Sequence, residues 1–186
     1  MMVAITIFGL VMAAVTRQLI LSVSLSLKTA STLEFAKNGR YLIDRLNSDV
    51  VSSQAIIIYP DFTDRSAAIT DGNYGNYVVM HQINSAGTIT RTIGYYLKAN
   101  ATGGTYALYR HDSQDGVLVA GTLPATTTNG THLRLVRTVQ LPSGTGVKLF
   151  RAWRSSGFTL RAQFGTREGS ANGRLENIQC SLTSRS

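Results

Sequence analysis

The chain has 186 residues, of which 44% are hydrophobic, and a formal net charge of +8. That length accommodates one anchor helix and one domain of about 130 residues, which is a common domain size. A single cysteine, Cys180, excludes an internal disulfide, so the domain is expected to depend on packing and sheet hydrogen bonds.

The first fifteen residues, MMVAITIFGLVMAAV, are apolar or small, and the first charge is Arg17. Fifteen helical residues rise about 22 Å, short of the roughly 30 Å hydrocarbon core of a bilayer, so we expect an incomplete membrane span. Lipid or partner helices must then cover it. A cleaved secretory signal is the alternative, but the run has no basic start, and an amphipathic pattern follows Ala13 and Ala14 in place of a loop.

An amphipathic stripe follows the apolar run, at spacings of three and four residues. Its positions are Phe35, Gly39, Leu42, Leu46, Val50, Ser53 and Ile57. The stripe predicts one helix from near Met1 to about Ile57, on the order of 85 Å long, and its phase continues through Asn38-Gly39. The pairs Arg40/Asp44 and Arg45/Asp49 fall at helical i,i+4 spacing. Weak helix formers between Gly9 and Leu25 leave local extension open there.

This N-terminal segment, with Gly9 at its centre and an amphipathic helix after it, resembles that of type IV pilins and pseudopilins. In that family the mature chain begins with a methylated aromatic or Met residue, then a few apolar residues and a Glu just before such a run. Neither that Glu nor the cleavage motif is in this sequence, so the resemblance places Met1 just after the Glu. Many major pilins have a Pro where this chain has Arg17, and many have a C-terminal disulfide. The resemblance covers residues 1–57.

The resemblance implies an α+β, type IV pilin-like fold, a long N-terminal α-helix packed on an antiparallel β-sheet head. Residues 1–27 would be the apolar filament core or membrane anchor, 28–57 the amphipathic half of the helix, and 58–186 the head. We expect the isolated head, beginning near Ser53 or later, to be soluble and monomeric. Residues expected to pack in the filament core are Met1, Val3, Ala4, Ile5, Phe8, Gly9, Leu10, Ala13 and Ala14.

The implied function is that of a structural subunit that polymerises through its hydrophobic helix into a type IV pilus-like extracellular filament, or fimbrium. Its partners would be copies of itself, the inner membrane before assembly, the pilus or secretion assembly machinery and prepilin peptidase. Alternatives are a minor pseudopilin of a type II secretion system, in a periplasmic pseudopilus, and a DNA-binding pilin for DNA uptake. A membrane-anchored enzyme or sensor is less favoured, because it gives the stripe from Phe35 to Ile57 no purpose.

After Ile57 the apolar period changes from 3.6 to 2, which predicts a β-rich head with turns at Gly, Asn, Asp and Ser clusters. Short connections between strands predict an antiparallel meander. Residues 61–76 are the expected long connection between helix and sheet. The predicted strands are residues 77–82, 88–98, 105–110, 117–120, 131–141, 147–154 and 158–164, with a last one near 176–182.

The C-terminal third carries the charge: residues 131–186 hold nine Lys or Arg against two Asp or Glu. A solvated sheet face is the favoured interpretation, and DNA, anionic lipid or an acidic neighbouring subunit are alternative partners. Three nearby aromatics, Phe150, Trp153 and Phe158, are expected in the core. The candidate basic surface comprises Arg134, Arg137, Lys148, Arg151, Arg154 and Arg161.

No catalytic, cofactor or metal motif is found in the sequence, and the chain is not predicted to be an enzyme. The histidines His81, His111 and His132 are scattered, without the spacing of metal ligands, and are interpreted as surface or strand residues. Cys180 is interpreted as a buried or idle thiol. Acidic pairs in residues 61–64 and 112–116 are interpreted as turns rather than Ca²⁺ sites. Sequons at Asn100 and Asn129 are candidate glycosylation sites.

Overall fold

A computed structural model describes residues 2–100, 105–113, 132–141, 148–153, 157–165 and 175–183, with side chains except those of residues 2–6, 31, 32, 34, 35, 38, 161–165 and 175–179. These residues form an apolar N-terminal helix and antiparallel strands, so the α+β class is confirmed. The chain divides into two compact units, residues 1–37 and 38–186, which are described separately below.

Helix α1 spans Met2–Val51 and is continuous, both between Gly9 and Leu25 and through Asn38-Gly39. Its end corrects the prediction of a helix to Ile57. The hydroxyls of Ser52 and Ser53 donate to the Asp49 carbonyl at 2.9 Å and 2.6 Å, and these side chains compete with continuation of the helix. The run that follows, AIIIY, is rich in β-branched residues and forms a strand.

The described residues contain nine strands. Those after residue 76 confirm the predicted strands within a few residues, except the one at 117–120, which lies outside the described residues. Two strands, β1 and β2, were not predicted. The strands are β1 Ala55–Tyr59, β2 Tyr74–Gly75, β3 Tyr77–Ile83, β4 Ile89–Ala99, β5 Tyr106–Ser113, β6 His132–Gln140, β7 Phe150–Trp153, β8 Gly157–Gly165 and β9 Leu175–Thr183.

The strand order is β1-β3-β4-β5-β6-β8-β7-β2, with β9 beside β8, and all pairs are antiparallel. Strands β3 to β6 confirm the predicted meander. Strand β8 departs from it, because it pairs with β9 along one edge and shares its other edge between β7 and β6.

The two ends of this strand order meet in space. The backbone N–H of Asn76, just after β2, donates to the Pro60 carbonyl, just after β1, at 3.0 Å. A Cβ atom on Gly75 would lie only 2.2 Å from the Tyr59 carbonyl oxygen. Strand β2 can therefore approach β1 this closely only because residue 75 is glycine.

The core of the second unit lies on both faces of the sheet. On one face, helix residues Leu42, Leu46 and Val50 are fully buried. On the other face, Phe62 from the connection after β1 packs with Tyr77, Tyr96 and further residues of β3 to β5. The helical segment 38–51 and the connection thus belong to the head as much as the strands do.

Candidate functional site

The apolar segment, Ile7–Ala30, is a 24-residue part of α1 that is 0% buried. By length and composition it can cross a membrane, although a cleaved signal sequence passes the same test. The first fifteen residues alone are too short to span a bilayer, as expected. The apolar character continues beyond Arg17 and the serines, and the longer segment reaches the length of a span.

Large apolar side chains are exposed on every side of this segment. The consecutive residues Leu19, Ile20 and Leu21 are 61%, 65% and 53% exposed, and three consecutive positions span about 200° around a helix. So much contiguous apolar surface exceeds what a soluble monomer tolerates. The exposed residues of the segment are Ile7, Phe8, Leu10, Val11, Met12, Val15, Leu19, Ile20, Leu21, Val23, Leu25 and Leu27.

The predicted filament-core residues lie in or just before this segment. Phe8 and Leu10 are 66% and 68% exposed, and Ala13 and Ala14 are also exposed. A Cβ atom on Gly9 would meet nothing within 4 Å. Val3, Ala4 and Ile5 are helical but their side chains, like the whole of Met1, lie outside the described residues. Their packing in a filament stays a prediction.

In the second unit, a buried ion pair fixes the helix to the sheet. The carboxylate of Asp49, which is 5% exposed, accepts hydrogen bonds from Arg110 Nε at 2.7 Å and Arg110 Nη2 at 3.2 Å. Tyr95 Oη donates to the same carboxylate at 2.5 Å. Both donors lie on adjacent strands, where Tyr95 and Arg110 are cross-strand partners. Helix α1 therefore packs on the face of the sheet to which these two side chains point.

The ion pair extends along the sheet through Asp112 and Arg91. Arg110 Nη1 donates to Asp112 at 3.0 Å, and Arg91 donates to it from Nε at 2.8 Å and from Nη2 at 2.5 Å. Burial lowers the pKa of Arg110, but hydrogen bonding to Asp49 and its charge outweigh that effect and raise the pKa overall. Hydrogen bonding from Arg91 lowers the pKa of Asp112. Each buried charge thus has an opposite neighbour.

Sequence reasoning found only the local part of this network. It paired Asp49 with Arg45, whose Nε lies 3.9 Å away, and Arg40 with Asp44 at 4.0 Å on the surface. The main partner, Arg110, is 61 residues from Asp49 along the chain. Nothing in the local pattern distinguishes it from other strand arginines.

On the opposite face, two tyrosines hydrogen-bond two histidines. Tyr77 Oη lies 2.9 Å from His111 Nε2, and Tyr96 Oη lies 3.0 Å from His132 Nδ1. The two imidazole centroids are 5.7 Å apart, because His111 and His132 are cross-strand partners. A Cβ on Gly94, across from His111 on β4, would lie 2.1 Å from His111 Nε2, so glycine makes room for the ring.

The connection after β1 covers these rings. The Phe62 ring centroid lies 5.2 Å from that of Tyr77 and 4.5 Å from that of Tyr96. Above it, the Arg65 guanidinium lies 4.7 Å from the Phe62 centroid, within the range of a cation–π contact. The connection, which has no periodic pattern in the sequence, therefore covers this face of the core.

His111 is almost completely buried, at 1% exposed. Burial, together with the charges of His132, Arg65 and Arg110, lowers the pKa of His111 to about 3, so the ring is neutral at pH 7. Its Nδ1 is buried without a hydrogen-bond partner among the described residues. His111 lies on a strand, as expected, but its burial and its pairing with His132 across the strands were not predicted. His81 lies on β3, with Nδ1 3.0 Å from Thr92 Oγ1.

The candidate basic residues occupy different environments. Arg134 and Arg137 are exposed on β6. Lys148 Nζ donates to the Pro60 carbonyl at 3.1 Å, and Arg151 Nε donates to the Gly72 carbonyl at 3.1 Å. Arg154 and the Arg161 side chain lie outside the described residues. Two of the six positions thus bind the backbone of the connection.

The aromatics of this region agree only in part with the prediction. Phe150 and Phe158 are fully buried, with ring centroids 5.4 Å apart, which confirms their core position. Trp153 is 42% exposed, so its assignment to the core was wrong. It stands at the end of the short strand β7, where side chains alternate between the two faces.

The remaining candidates take part in local structure. Asn100 Nδ2 donates to Thr105 Oγ1 at 3.0 Å and to the Arg137 carbonyl at 3.1 Å, so a glycan there would replace a donor already in use. Asn129 lies outside the described residues. Asp61 N donates to the Asp64 carbonyl at 3.3 Å in a turn. Cys180 is half-buried, and burial raises the pKa of its thiol.

Neither protein-family models, nor curated proteins, nor solved structures give a match to this chain. Within the described residues, no group of three or more His, Cys, Asp or Glu could hold a metal ion. The exposed apolar segment is therefore the feature that a proposed function has to explain.

Proposed function

We propose that this chain is a structural subunit that polymerises through its N-terminal helix into a type IV pilus-like filament. The observation that carries the proposal is the apolar segment, exposed on every side within a helix that continues into the buried residues Leu42, Leu46 and Val50. A polymer in which such helices pack together would cover that surface while each head stays folded.

Before polymerisation, the apolar segment would lie in the inner membrane, which hides the same surface from water. Transfer from lipid to a bundle of helices moves the segment from one apolar environment to another, so burial from water contributes no additional free energy. Assembly must therefore be driven by packing between the helices. The Asp49–Arg110 ion pair would keep the helix attached to the head throughout.

A minor pseudopilin of a secretion system fits the same observations and is the nearest alternative. A DNA-uptake role is less supported, because Lys148 and Arg151 donate to backbone carbonyls and are less available to phosphates. A membrane-anchored enzyme has the least support. The Tyr–His pairs lie in the core of the head, and a structural role there is better supported than a catalytic one.

Size-exclusion chromatography of the full chain and of residues 38–186, each with and without detergent, tests the proposal. We expect residues 38–186 to be monomeric in plain buffer. The full chain should need detergent, and sedimentation after detergent removal should show large polymers. A full chain that is soluble and monodisperse in plain buffer would contradict the proposal.

A further inference from the structure

The connection after β1 is held to the strands near both of its ends. At one end, Asn76 N donates to the Pro60 carbonyl at 3.0 Å. At the other end, Gly72 N donates to the Ala152 carbonyl at 3.0 Å. Residues 61–71 lie between these two anchors, so they can leave the sheet while every pair of strands stays intact.

Two side chains of this segment cover His111. Phe62 is 4% exposed, and its ring centroid lies 6.0 Å from that of His111. The Arg65 guanidinium lies 4.8 Å from the ring centroid of Tyr77, which is hydrogen-bonded to His111. Residues 61–71 therefore shield the imidazole from water.

A proton on His111 has no compensating group in these surroundings. Its Nδ1 is buried without a hydrogen-bond partner among the described residues, so a charged N–H there would lack an acceptor. The groups that face the ring from neighbouring elements are neutral or cationic, because burial raises the pKa of both tyrosines. They are Tyr77 of β3, Tyr96 of β4, His132 of β6 and Arg65 of the connection.

The strands around His111 supply one carboxylate, and it faces away from the ring. Asp112 is the only Asp or Glu in β3 to β6. As the next residue along β5, it points to the opposite face of the sheet, where it pairs with Arg110. The carboxylates of Asp61 and Asp64 accept hydrogen bonds from amides within the connection itself. A positive charge on His111 is therefore not balanced by the strands on this face.

We propose that acid releases residues 61–71 from the sheet through protonation of His111, while the strands stay paired. Once this segment has moved away, water reaches the ring and Arg65 no longer lies beside it. Opening then takes up a proton below about pH 6.5, the ordinary pKa of histidine, so the open fraction is constant above that pH and rises as the pH falls. Between pH 6.5 and pH 4.5 the rise is at most about 100-fold for one proton. Release needs only the head, so it does not depend on the proposed filament function.

Hydrogen exchange of the full chain in detergent, between pH 7.5 and pH 4.5, tests the proposal once each rate is divided by the intrinsic exchange rate at that pH. The probe is Ile69 N, which donates to the Ile58 carbonyl at 2.7 Å. Its protection should be constant down to about pH 6.5 and then fall by about tenfold to 100-fold at pH 4.5. Amides of the β4–β5 ladder should stay better protected at every pH, because they exchange only through larger openings. Asn84 N, which donates to the Thr88 carbonyl at 3.0 Å in the turn before β4, should show no such fall.

Two substitutions identify the titrating group. His111→Gln should remove the fall, since glutamine does not titrate. The matched control is His81→Gln on β3, whose Nδ1 lies 3.0 Å from Thr92 Oγ1, and it should keep the fall. If His111→Gln does not fold, the pH at which the fall begins in the unaltered chain still decides, because carboxylates titrate near pH 4 rather than pH 6.5.

Three results would overturn the inference. The first is protection of Ile69 N that does not change with pH. The second is a fall that begins only near pH 4, or that persists in His111→Gln, since carboxylates would then be the cause. The third is equal protection of Ile69 N and the β4–β5 ladder at pH 4.5, which would show that acid unfolds the whole head instead of releasing one segment.

Discussion

Asp49 is the residue on which attachment of the helix to the sheet most depends. Its carboxylate accepts from Arg110 and Tyr95 in a buried site, and Arg110 in turn bridges to Asp112. Removal of one member of a buried ion pair leaves the other charge without compensation, which is more damaging than loss of both.

Asp49→Asn should lower the free energy of unfolding by about 3–5 kcal/mol, because Arg110 would keep its charge in a buried site. Urea denaturation of the full chain in detergent measures it. The control is Asp44→Asn, whose side chain is 73% exposed and pairs with Arg40 at 4.0 Å. That change should stay within about 0.5 kcal/mol of the unaltered chain. Equal stability of the two variants would show that the network does not hold the helix in place.

His111 makes the head sensitive to acid. In the unfolded chain its pKa is near 6.5, while burial lowers the pKa in the folded state to about 3. Below pH 6.5 the His111 ring therefore binds a proton in the unfolded state but stays neutral in the folded state until the pH approaches 3. The stabilising effect of the neutral ring is complete above pH 6.5 and declines as pH falls toward 3.

The free energy of unfolding should therefore be about 2–3 kcal/mol lower at pH 4.5 than at pH 7 from this residue alone. Urea midpoints at the two pH values provide the measurement. His111→Gln cannot titrate, so its loss between pH 7 and pH 4.5 should be smaller by that amount, whatever its stability at pH 7. If the two chains lose the same stability on acidification, His111 is not the cause.

At the scale of the elements, helix α1 belongs to both compact units. Its residues 38–51 contribute Leu42, Leu46 and Val50, all fully buried, and the Asp49 ion pair. The expectation that the head can begin near Ser53 overlooked this contribution, since an amphipathic stripe does not reveal which face of which partner it covers.

A fragment of residues 38–186 should fold, whereas one of residues 53–186 should not fold cooperatively. Loss of a single buried leucine side chain costs about 2–5 kcal/mol, and the shorter fragment loses three fully buried side chains at once. Near-UV circular dichroism during thermal unfolding distinguishes them. Coincident, cooperative transitions for both fragments would show that the helical segment is dispensable.

Gly9→Leu should reduce polymer yield more than Leu10→Ile. A side chain at Gly9 meets nothing within 4 Å in the single chain, so the substitution leaves the subunit itself unstrained. Any loss must then come from helices that approach each other closely at that position. Electron microscopy counts, normalised to membrane-inserted subunit, give the comparison, and equal yields would remove Gly9 from the interface.

Local patterns predicted most elements of the head because alternation and turn residues report on strands directly. Strand β1 was missed because Ile56 to Ile58 continue the apolar character of the helix, and a short apolar run does not tell strand from helix. The His111–His132 pair and the Asp49–Arg110 ion pair depend on strand register and on contacts distant in sequence. Such contacts leave no periodic signal in the chain.

At the scale of the whole molecule, the chain combines a head whose core is closed on both faces with a helix that leaves the apolar segment exposed. We expect the head to be stable without a partner, whereas the exposed segment needs lipid or other helices to cover it. We propose a filament subunit because a polymer would cover the exposed segment and leave the head folded.

Cryo-electron microscopy of the purified full chain after detergent removal tests the central claim most directly. The account predicts helical filaments with α-helical density at the axis that fits residues 7–30, and heads of residues 38–186 outside. The fragment 38–186, treated in the same way, should give no filaments. A full chain that yields only membrane-embedded monomers or aggregates without helical order, under conditions in which its head is folded, would contradict the account.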